Sequence, residues 1–311
     1  MSQGASIGAS RRFFLGLCAL ARPHTAASWW ENARTRRIGL RMPRFAANLT
    51  MLFHEVDFAD RFAAAANAGF RAVEYLFPYS YPKELLAEKL ADFGLEQVLH
   101  NLPAGDWAKG ERGIAVLPNR VGEFQDGVGK AIDYAKALGC RQLNCLAGIR
   151  PEGVSAERLR ATFLENLRFA ADQLQAAGIR LLVEAINTRD VPGFYLCATQ
   201  QAMDLIDAAG RQNIFMQYDI YHMQRMEGEL AATMQKHLPR IAHIQFADNP
   251  GRNEPGTGEI NFSFLFELLD RIGYAGWIGC EYKPRTSTEA SLDWYAAWRG
   301  GRKVQPDPSV G

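Results

Sequence analysis

The sequence predicts a (β/α)8 barrel, in which eight parallel strands form a closed sheet and helices surround it. From residue 45 onward, eight short β-like runs alternate with longer helical patterns, as βα units require. Several helical runs also end in glycine just before the next strand, for example Gly139 and Gly178, where a left-handed residue closes the helix. The 311 residues suit one barrel of roughly 250 residues with extensions.

The eight predicted strands are short and mostly apolar, as expected of strands buried on both faces. They are Phe45–Leu49, Ala72–Leu76, Leu95–His100, Gln142–Leu146, Arg180–Glu184, Ile214–Asp219, Ile241–Phe246 and Trp277–Glu281.

The predicted helices are amphipathic. In the run from 156 to 177, apolar side chains such as Leu159, Phe163, Leu167 and Leu174 recur at intervals of three or four, which gives one apolar stripe for the barrel wall. The predicted helices are Phe58–Ala68, Gly122–Leu138, Ala156–Ala177, Thr199–Ala209 and Phe262–Ile272.

An open sheet that binds a dinucleotide is the alternative architecture. Such a sheet carries G-x-G-x-x-G after its first strand, whereas the run 50–53 here contains no glycine. The run 256–258 has two glycines but lacks the third, so we interpret it as a plain loop. The closed barrel is therefore favoured.

The predicted domain organisation is an extension over 1–41, a barrel over 42–300 and a tail over 301–311. Residues 1–41 contain seven arginines and one acid, so the rest of the chain holds 28 basic and 33 acidic residues, a net charge of −5. The run 10–21 resembles a twin-arginine export signal with a short apolar stretch. We favour a dispensable extension, with Met42 as the natural start.

Charge and cysteine content narrow the choice of partners and compartment. The net charge of +1 gives no reason to expect nucleic acid or an anionic membrane as a partner, and no run reaches the ~20 apolar residues that span a bilayer. Five cysteines without a C-x-x-C pair indicate reduced thiols and a cytoplasmic protein. Homo-oligomerisation is left open.

Four oxygen-bearing side chains lie at or next to the ends of consecutive predicted strands: Glu184, Asp219, Gln245 and Glu281. In a barrel such residues meet at the C-terminal face, where active sites lie. Three carboxylates brought together would repel one another, and a divalent cation relieves the repulsion. Carboxylate and amide oxygens are hard ligands, so Mg²⁺ or Mn²⁺ is expected rather than zinc.

Three runs resemble the xylose isomerase-like barrel superfamily: Leu182–Asn187, Gln217–Gln224 and Gly279–Pro284. Three further runs narrow the resemblance to the hydroxypyruvate isomerase family: His100–Trp107, Ala247–Arg252 and Glu254–Asn261. The resemblance covers essentially all of 43–300. It implies a metal bound by Glu184, Asp219, Gln245 and Glu281, with the two glutamates as acid/base catalysts.

The implied reaction interconverts 3-hydroxypyruvate and 2-hydroxy-3-oxopropanoate, a small sugar-acid substrate, through an enediolate. One glutamate removes a proton beside the carbonyl and the other returns it to the neighbouring carbon. Candidate substrate-binding residues are His100, His222, Arg252 and Lys283; the last two would pair with the substrate carboxylate. His243 is expected to support the site from deeper in the barrel, and Glu74 to position an active-site partner.

Several alternatives stay open at this point. The nearest are a 2-oxo-tetronate isomerase and a ketose 3-epimerase on the same barrel, although related epimerases usually have histidine where Gln245 stands. A metal-dependent endonuclease is disfavoured because it would need a histidine-rich multi-zinc site and a basic face. A non-enzymatic sugar-binding protein would have no need of four intact ligands.

Overall fold

Eight parallel strands form a closed barrel in the order β1 to β8, and β1 pairs with β8. We describe a computed structural model, which defines residues 43–299. The predicted fold class is confirmed. The predictions for 1–41 and 301–311, including the twin-arginine-like run, lie outside the described residues. Within the described residues, no helix is both long and apolar enough to cross a bilayer.

The strands closely match their predicted bounds, and three of them match at both ends. They are β1 (Arg44–Asn48), β2 (Ala72–Glu74), β3 (Glu96–Asn101), β4 (Gln142–Cys145), β5 (Arg180–Glu184), β6 (Ile214–Asp219), β7 (Ile241–Phe246) and β8 (Trp277–Cys280). The last strand ends one residue before Glu281, so that carboxylate stands on the first residue of the loop.

Within residues 43–299, nine α-helices lie between and after the strands. They are α1 (Arg61–Asn67), α2 (Lys83–Asp92), α3 (Val121–Leu138), α4 (Ala156–Ala176), α5 (Thr199–Ala209), α6 (Ile220–Met226), α7 (Leu230–His237), α8 (Phe262–Arg271) and α9 (Asp293–Arg299) among the described residues. Short 3-10 helices occur at Phe58–Asp60, Trp107–Lys109, Leu238–Arg240 and Glu289–Leu292.

The main core lies between the strands and the helices. In α4, the stripe expected from the sequence is buried: Leu159, Phe163, Leu167 and Leu174 are at most 3% exposed. A smaller apolar cluster consists of Ala46, Ala72, Val98, Leu99 and Leu182, which come from β1, β2, β3 and β5. Apolar side chains thus pack on both faces of the barrel sheet. Polar side chains lie at the carboxyl ends of the strands.

Candidate active site

A cavity of about 610 Å³ contains the carboxyl ends of the strands. Its lining includes three of the four predicted metal ligands, Glu184, Gln245 and Glu281. The cations Arg112, Arg225, Arg252 and Lys283 also line it. One ligand atom from each of Glu184, Asp219, His222 and Glu281 lies within 4.8 Å of the other three. Gln245 stands beside Asp219, because these two residues are paired between β6 and β7.

Asp219 is the last residue of β6 and the N-cap of α6, and its two carboxylate oxygens have different neighbours. Oδ1 accepts the backbone N–H groups of Tyr221 and His222, at 2.7 and 3.2 Å, and so caps the helix. Oδ2 is buried and has no hydrogen-bond partner. A buried carboxylate oxygen without a donor favours a bound cation.

Glu184 and Glu281 are both buried and have different neighbours. Glu184 Oε2 accepts the Asn144 side-chain amide at 2.9 Å. Glu281 Oε2 accepts the Arg252 guanidinium at 2.6 Å. Burial, together with the nearby Glu281 and Asp219 charges, raises the pKa of Glu184 well above its usual value. Burial also raises the pKa of Glu281 to about 8, although Arg252 opposes the shift.

His222 is neutral, because burial lowers its pKa to about 4. Its Nδ1 lies 2.6 Å from the Asn187 side-chain Nδ2. Asn187 cannot turn round, since its Oδ1 already accepts the backbone N–H groups of Arg189 and Asp190. His222 Nδ1 is therefore an acceptor, which leaves the ring proton on Nε2. Nε2 lies 3.6 Å from Asp219 Oδ2, so it presents a donor to the carboxylate cluster.

This tautomer separates His222 from the metal ligands in spite of its closeness to them. A protonated ring nitrogen cannot bind a cation, but it can donate to a substrate oxygen. The oxygen set that suits a divalent cation is thus the three carboxylates with the amide oxygen of Gln245, a hard donor set. These residues fit the predicted cation.

Arg252 lies on the rim of the cavity with its guanidinium mostly buried. It lies 5.1 Å from the centre of the Tyr221 ring, and its backbone adopts a left-handed conformation with φ 56°. The Tyr221 hydroxyl in turn donates to Asp190 Oδ2 at 2.8 Å, while Arg225 donates to that hydroxyl at 3.0 Å. Lys283 also lines the cavity and is exposed.

The prediction that His100 binds substrate is not supported by its position. Its neighbours Leu99 and Asn101 line the cavity, but His100 does not, because successive side chains of a strand point to opposite faces. The ring packs edge-on against Tyr79, with centroids 5.9 Å apart, and is fully buried. A direct contact between His100 and a substrate is therefore not supported.

Sequence reasoning overlooked the side chains that orient the site. Asn144, Asn187, Asp190, Gln217, Tyr221 and Arg225 all touch a candidate residue or line the cavity. A signal was available for two of them, because Tyr221 and Arg225 are four residues apart on the helix that Asp219 begins, and so share one face.

The run 256–258 is a loop that binds a carboxylate of the chain itself. Asp248 Oδ2 accepts the backbone N–H groups of Gly256, Thr257 and Gly258, at 2.8 to 3.1 Å. Asp248 Oδ1 accepts those of Asn249 and Ile260. The donors of this loop are thus used internally, in agreement with its interpretation as a plain loop.

Residues 62–298 match the family described as xylose isomerase-like TIM barrel. The chain is 57% identical over 258 residues to hydroxypyruvate isomerase of Escherichia coli (strain K12), covering 83% of this chain and 100% of that protein. It is 47% identical over 259 residues to 2-oxo-tetronate isomerase of Cupriavidus necator, again covering 83% and 100%.

Among solved structures, the crystal structure of AP endonuclease, family 2 from Brucella melitensis superposes with a TM-score of 0.81. The two chains are 46% identical, and the match covers 83% of this chain and 100% of that chain.

Proposed function

The chain belongs to the xylose isomerase-like TIM barrel family and, within it, to the hydroxypyruvate isomerase family, and from this premise we propose that it interconverts 3-hydroxypyruvate and 2-hydroxy-3-oxopropanoate. Its enzyme class is isomerase. The observation that carries the proposal is the group of Glu184, Asp219 and Glu281, whose carboxylates lie within 4.8 Å of one another beside the Arg252 guanidinium.

Glu184, Asp219, Gln245 and Glu281 would hold a divalent cation, Mg²⁺ or Mn²⁺ by the hardness of their oxygens. When bound, the cation supplies Lewis-acid stabilisation of negative charge on the substrate oxygens. Because three buried carboxylates repel one another, the cation also favours their ionised forms.

Two glutamates would carry the protons. Arg252 favours ionised Glu281, since its guanidinium donates to Glu281 Oε2, so Glu281 is the better base for removing the C3 proton of hydroxypyruvate. Glu184 has a neutral amide, that of Asn144, beside it instead of a guanidinium, and it would return a proton to C2. The hydroxyl proton at O3 must also pass to O2, and the His222 Nε2–H is placed to hydrogen-bond these oxygens.

Arg252 and Lys283 would bind the substrate carboxylate. Both line the cavity with Arg112 and Arg225, and such cations give a substrate carboxylate a charged hydrogen-bond partner that a neutral ketose cannot use. An endonuclease activity is not proposed, because the carboxylate cluster contains a single histidine and the chain outside residues 1–41 has a net negative charge.

A four-carbon oxo acid is the second candidate substrate. The cavity of about 610 Å³ is larger than a three-carbon acid fills, and the Cupriavidus necator relative is a 2-oxo-tetronate isomerase. The cavity volume therefore excludes neither the three-carbon nor the four-carbon substrate.

The test is a substrate screen with purified full-length protein. We expect turnover of hydroxypyruvate to exceed that of 2-oxo-tetronate, and both to exceed that of a neutral ketose. Chelation should abolish turnover, and added Mg²⁺ or Mn²⁺ should restore it. A neutral ketose as the best substrate would contradict the proposed substrate class, and full activity in chelated protein would contradict the proposed cation.

A further inference from the structure

A buried carboxylate on β2 reaches across the barrel to the strand that carries Gln245. Glu74 is 1% exposed. Its Oε1 accepts the side-chain amides of Gln245 at 2.7 Å and of Asn48 at 2.9 Å. Its Oε2 lies 2.7 Å from His243 Nε2. Three polar side chains from β1 and β7 thus converge on one carboxylate.

The direction of these hydrogen bonds determines how Gln245 is turned. An ionised carboxylate only accepts, so the end of Gln245 that touches Glu74 must be its NH2 group. The amide oxygen then points away from Glu74, where it accepts the Gln217 side-chain amide at 2.5 Å. That oxygen retains a second lone pair, which can bind a cation.

The carboxylate itself is held from several sides. Asn48 is fixed with its NH2 toward Glu74, because its Oδ1 accepts the backbone N–H of Thr50 at 3.0 Å. The other ring nitrogen of His243 lies 3.2 Å from Gln142 Nε2. Gln142 can only donate through that nitrogen, so His243 carries its proton on Nε2 and donates to Glu74.

Gly279 provides the room that the carboxylate occupies. Gly279 lies on β8 directly beside Gln245, and a Cβ at this position would overlap both oxygens of Glu74. Its backbone is not in the left-handed region, so no turn requires glycine here. The volume of the Glu74 carboxylate therefore explains why this strand position has no side chain.

We propose that Glu74 is a positioning residue for the candidate metal site. In the space that Gly279 leaves, it holds Gln245 with the amide oxygen turned toward the cation. The inference rests on the proposed function, in which Gln245 is a ligand. If the amide turned over, its NH2 group would face the cation, and the fourth ligand would be lost.

The experiment measures the dissociation constant of Mn²⁺ by electron paramagnetic resonance of free Mn²⁺, on the full chain and well below each variant's melting temperature. In Glu74→Gln, the new amide keeps its oxygen toward His243 and places its NH2 against the NH2 of Gln245, which then turns over. We expect the dissociation constant to rise about 10- to 100-fold, the usual effect of losing a residue that orients a ligand. Gly279→Ala, which displaces the same carboxylate, should have an effect of the same size.

A donor–acceptor exchange separates positioning from general damage to the barrel. In the double variant Glu74→Gln/Gln245→Glu, the amide at 74 donates to a carboxylate at 245, whose other oxygen can bind Mn²⁺. This variant should bind at least as tightly as wild type. Gln245→Glu alone places two carboxylates in contact and should bind less tightly than the double variant. Asn166→Ala is the matched control, because it removes a buried amide that donates to the Ala115 carbonyl and not to Glu74 or Gln245, and it should leave Mn²⁺ affinity unchanged.

Each outcome decides the matter. Weakened binding in Glu74→Gln with recovery in the double variant supports the inference. Wild-type affinity in Glu74→Gln, or a loss that the double variant does not repair, overturns it while the proposed metal site stands. If wild-type protein itself binds no Mn²⁺, the metal of the proposed function fails, and the role of Glu74 fails with it.

Discussion

Glu184 and Glu281 are the same residue type in one cluster, yet their neighbours give them different properties. Glu184 is held by a neutral amide from Asn144, whereas Glu281 is paired with the Arg252 guanidinium. A neighbouring positive charge favours the ionised form far more than an amide does. The two carboxyl groups are therefore suited to opposite halves of a proton transfer.

The first prediction tests that pair by Glu184→Gln and Glu281→Gln. Each change keeps a ligating oxygen and nearly the same shape but removes the group that carries the proton. With saturating metal, kcat should fall about 10²–10⁴-fold in each variant, the usual scale of general acid–base catalysis. Steady-state kinetics with hydroxypyruvate measure this.

Asp219→Asn is the control for loss of charge alone. It should act mainly through metal affinity, because Asp219 Oδ2 accepts no hydrogen bond from the protein, and excess Mn²⁺ should restore part of its turnover. Near-normal turnover in both glutamine variants, or rescue by metal as complete as in Asp219→Asn, would contradict the acid/base assignment.

At this scale the sequence predicted the carboxylates but not the hydrogen bonds that orient them. Glu184, Asp219 and Glu281 could be found because polar residues stand out at the ends of apolar strands. The tautomer of His222 depends on Asn187, 35 residues away along the chain, and Glu74 touches Gln245 from 171 residues away. Contacts over such separations leave no local sequence pattern. His100 was wrongly placed in the cavity because the sequence does not show which alternate residues of β3 face it.

The loop after β7 shows how one side chain can organise a whole segment. Asp248 is 1% exposed and accepts five backbone N–H groups between residues 249 and 260. Arg252 lies within this segment, and its own backbone N–H bonds to the Asp248 carbonyl. The position of Arg252 on the cavity rim therefore depends on Asp248, whose carboxylate does not line the cavity.

The second prediction follows for Asp248→Ala. Leaving buried N–H donors without an acceptor should lower the free energy of unfolding by about 2–4 kcal/mol. Because Arg252 loses its fixed position, KM for hydroxypyruvate should rise as well. Thermal denaturation and kinetics measure the two effects. The control Asp126→Asn, at an exposed position of α3, should change neither quantity. An unchanged KM in Asp248→Ala would contradict the claim that Asp248 fixes the position of Arg252.

Helices were predictable where their apolar residues form one periodic stripe and unpredictable where they do not. The long helix α4 shows a clear apolar stripe, and its predicted and observed ends differ by one residue. Helix α6 was not predicted, since Ile220 to Met223 are all buried and give no stripe. Helix α2 buries only Leu86 and Leu90, too few to stand out. The predicted helix from 58 to 68 is a 3-10 turn followed by α1.

At the scale of the whole molecule, the buried acids link stability to pH. Burial raises the pKa of Glu281 to about 8 from an ordinary value of 4.5 and also raises that of Glu184. Between these pH values the folded state holds more protons than the unfolded state, so the free energy of unfolding falls as pH rises.

The third prediction is that chelated protein loses thermal stability between about pH 5 and about pH 8. Glu281→Gln, which has no proton to lose, should show a shallower decline, and Mn²⁺ should counteract the decline in wild type by favouring the ionised carboxylates. Melting temperatures in EDTA and in Mn²⁺ across this range measure both effects. Equal slopes for wild type and Glu281→Gln would contradict the assignment.

The fourth prediction concerns residues 1–41. The sheet closes by pairing of β1 with β8, from Arg44 to Ala47, so every described strand lies within the predicted barrel domain. Deleting residues 1–41 should therefore leave the melting temperature and turnover nearly unchanged. A large loss of either would show that the domain boundary is wrong.

The contact between Glu74 and Gln245 has a consequence for refolding. All four proposed ligands come from the second half of the chain, but the carboxylate that turns one of them comes from the first, and 171 residues separate the two. Contacts so distant along a chain form late, after the cost of closing the loop has been met. After dilution from denaturant, helical circular dichroism should return first, and tight Mn²⁺ binding should appear only with the slowest phase, when β2 and β7 come together.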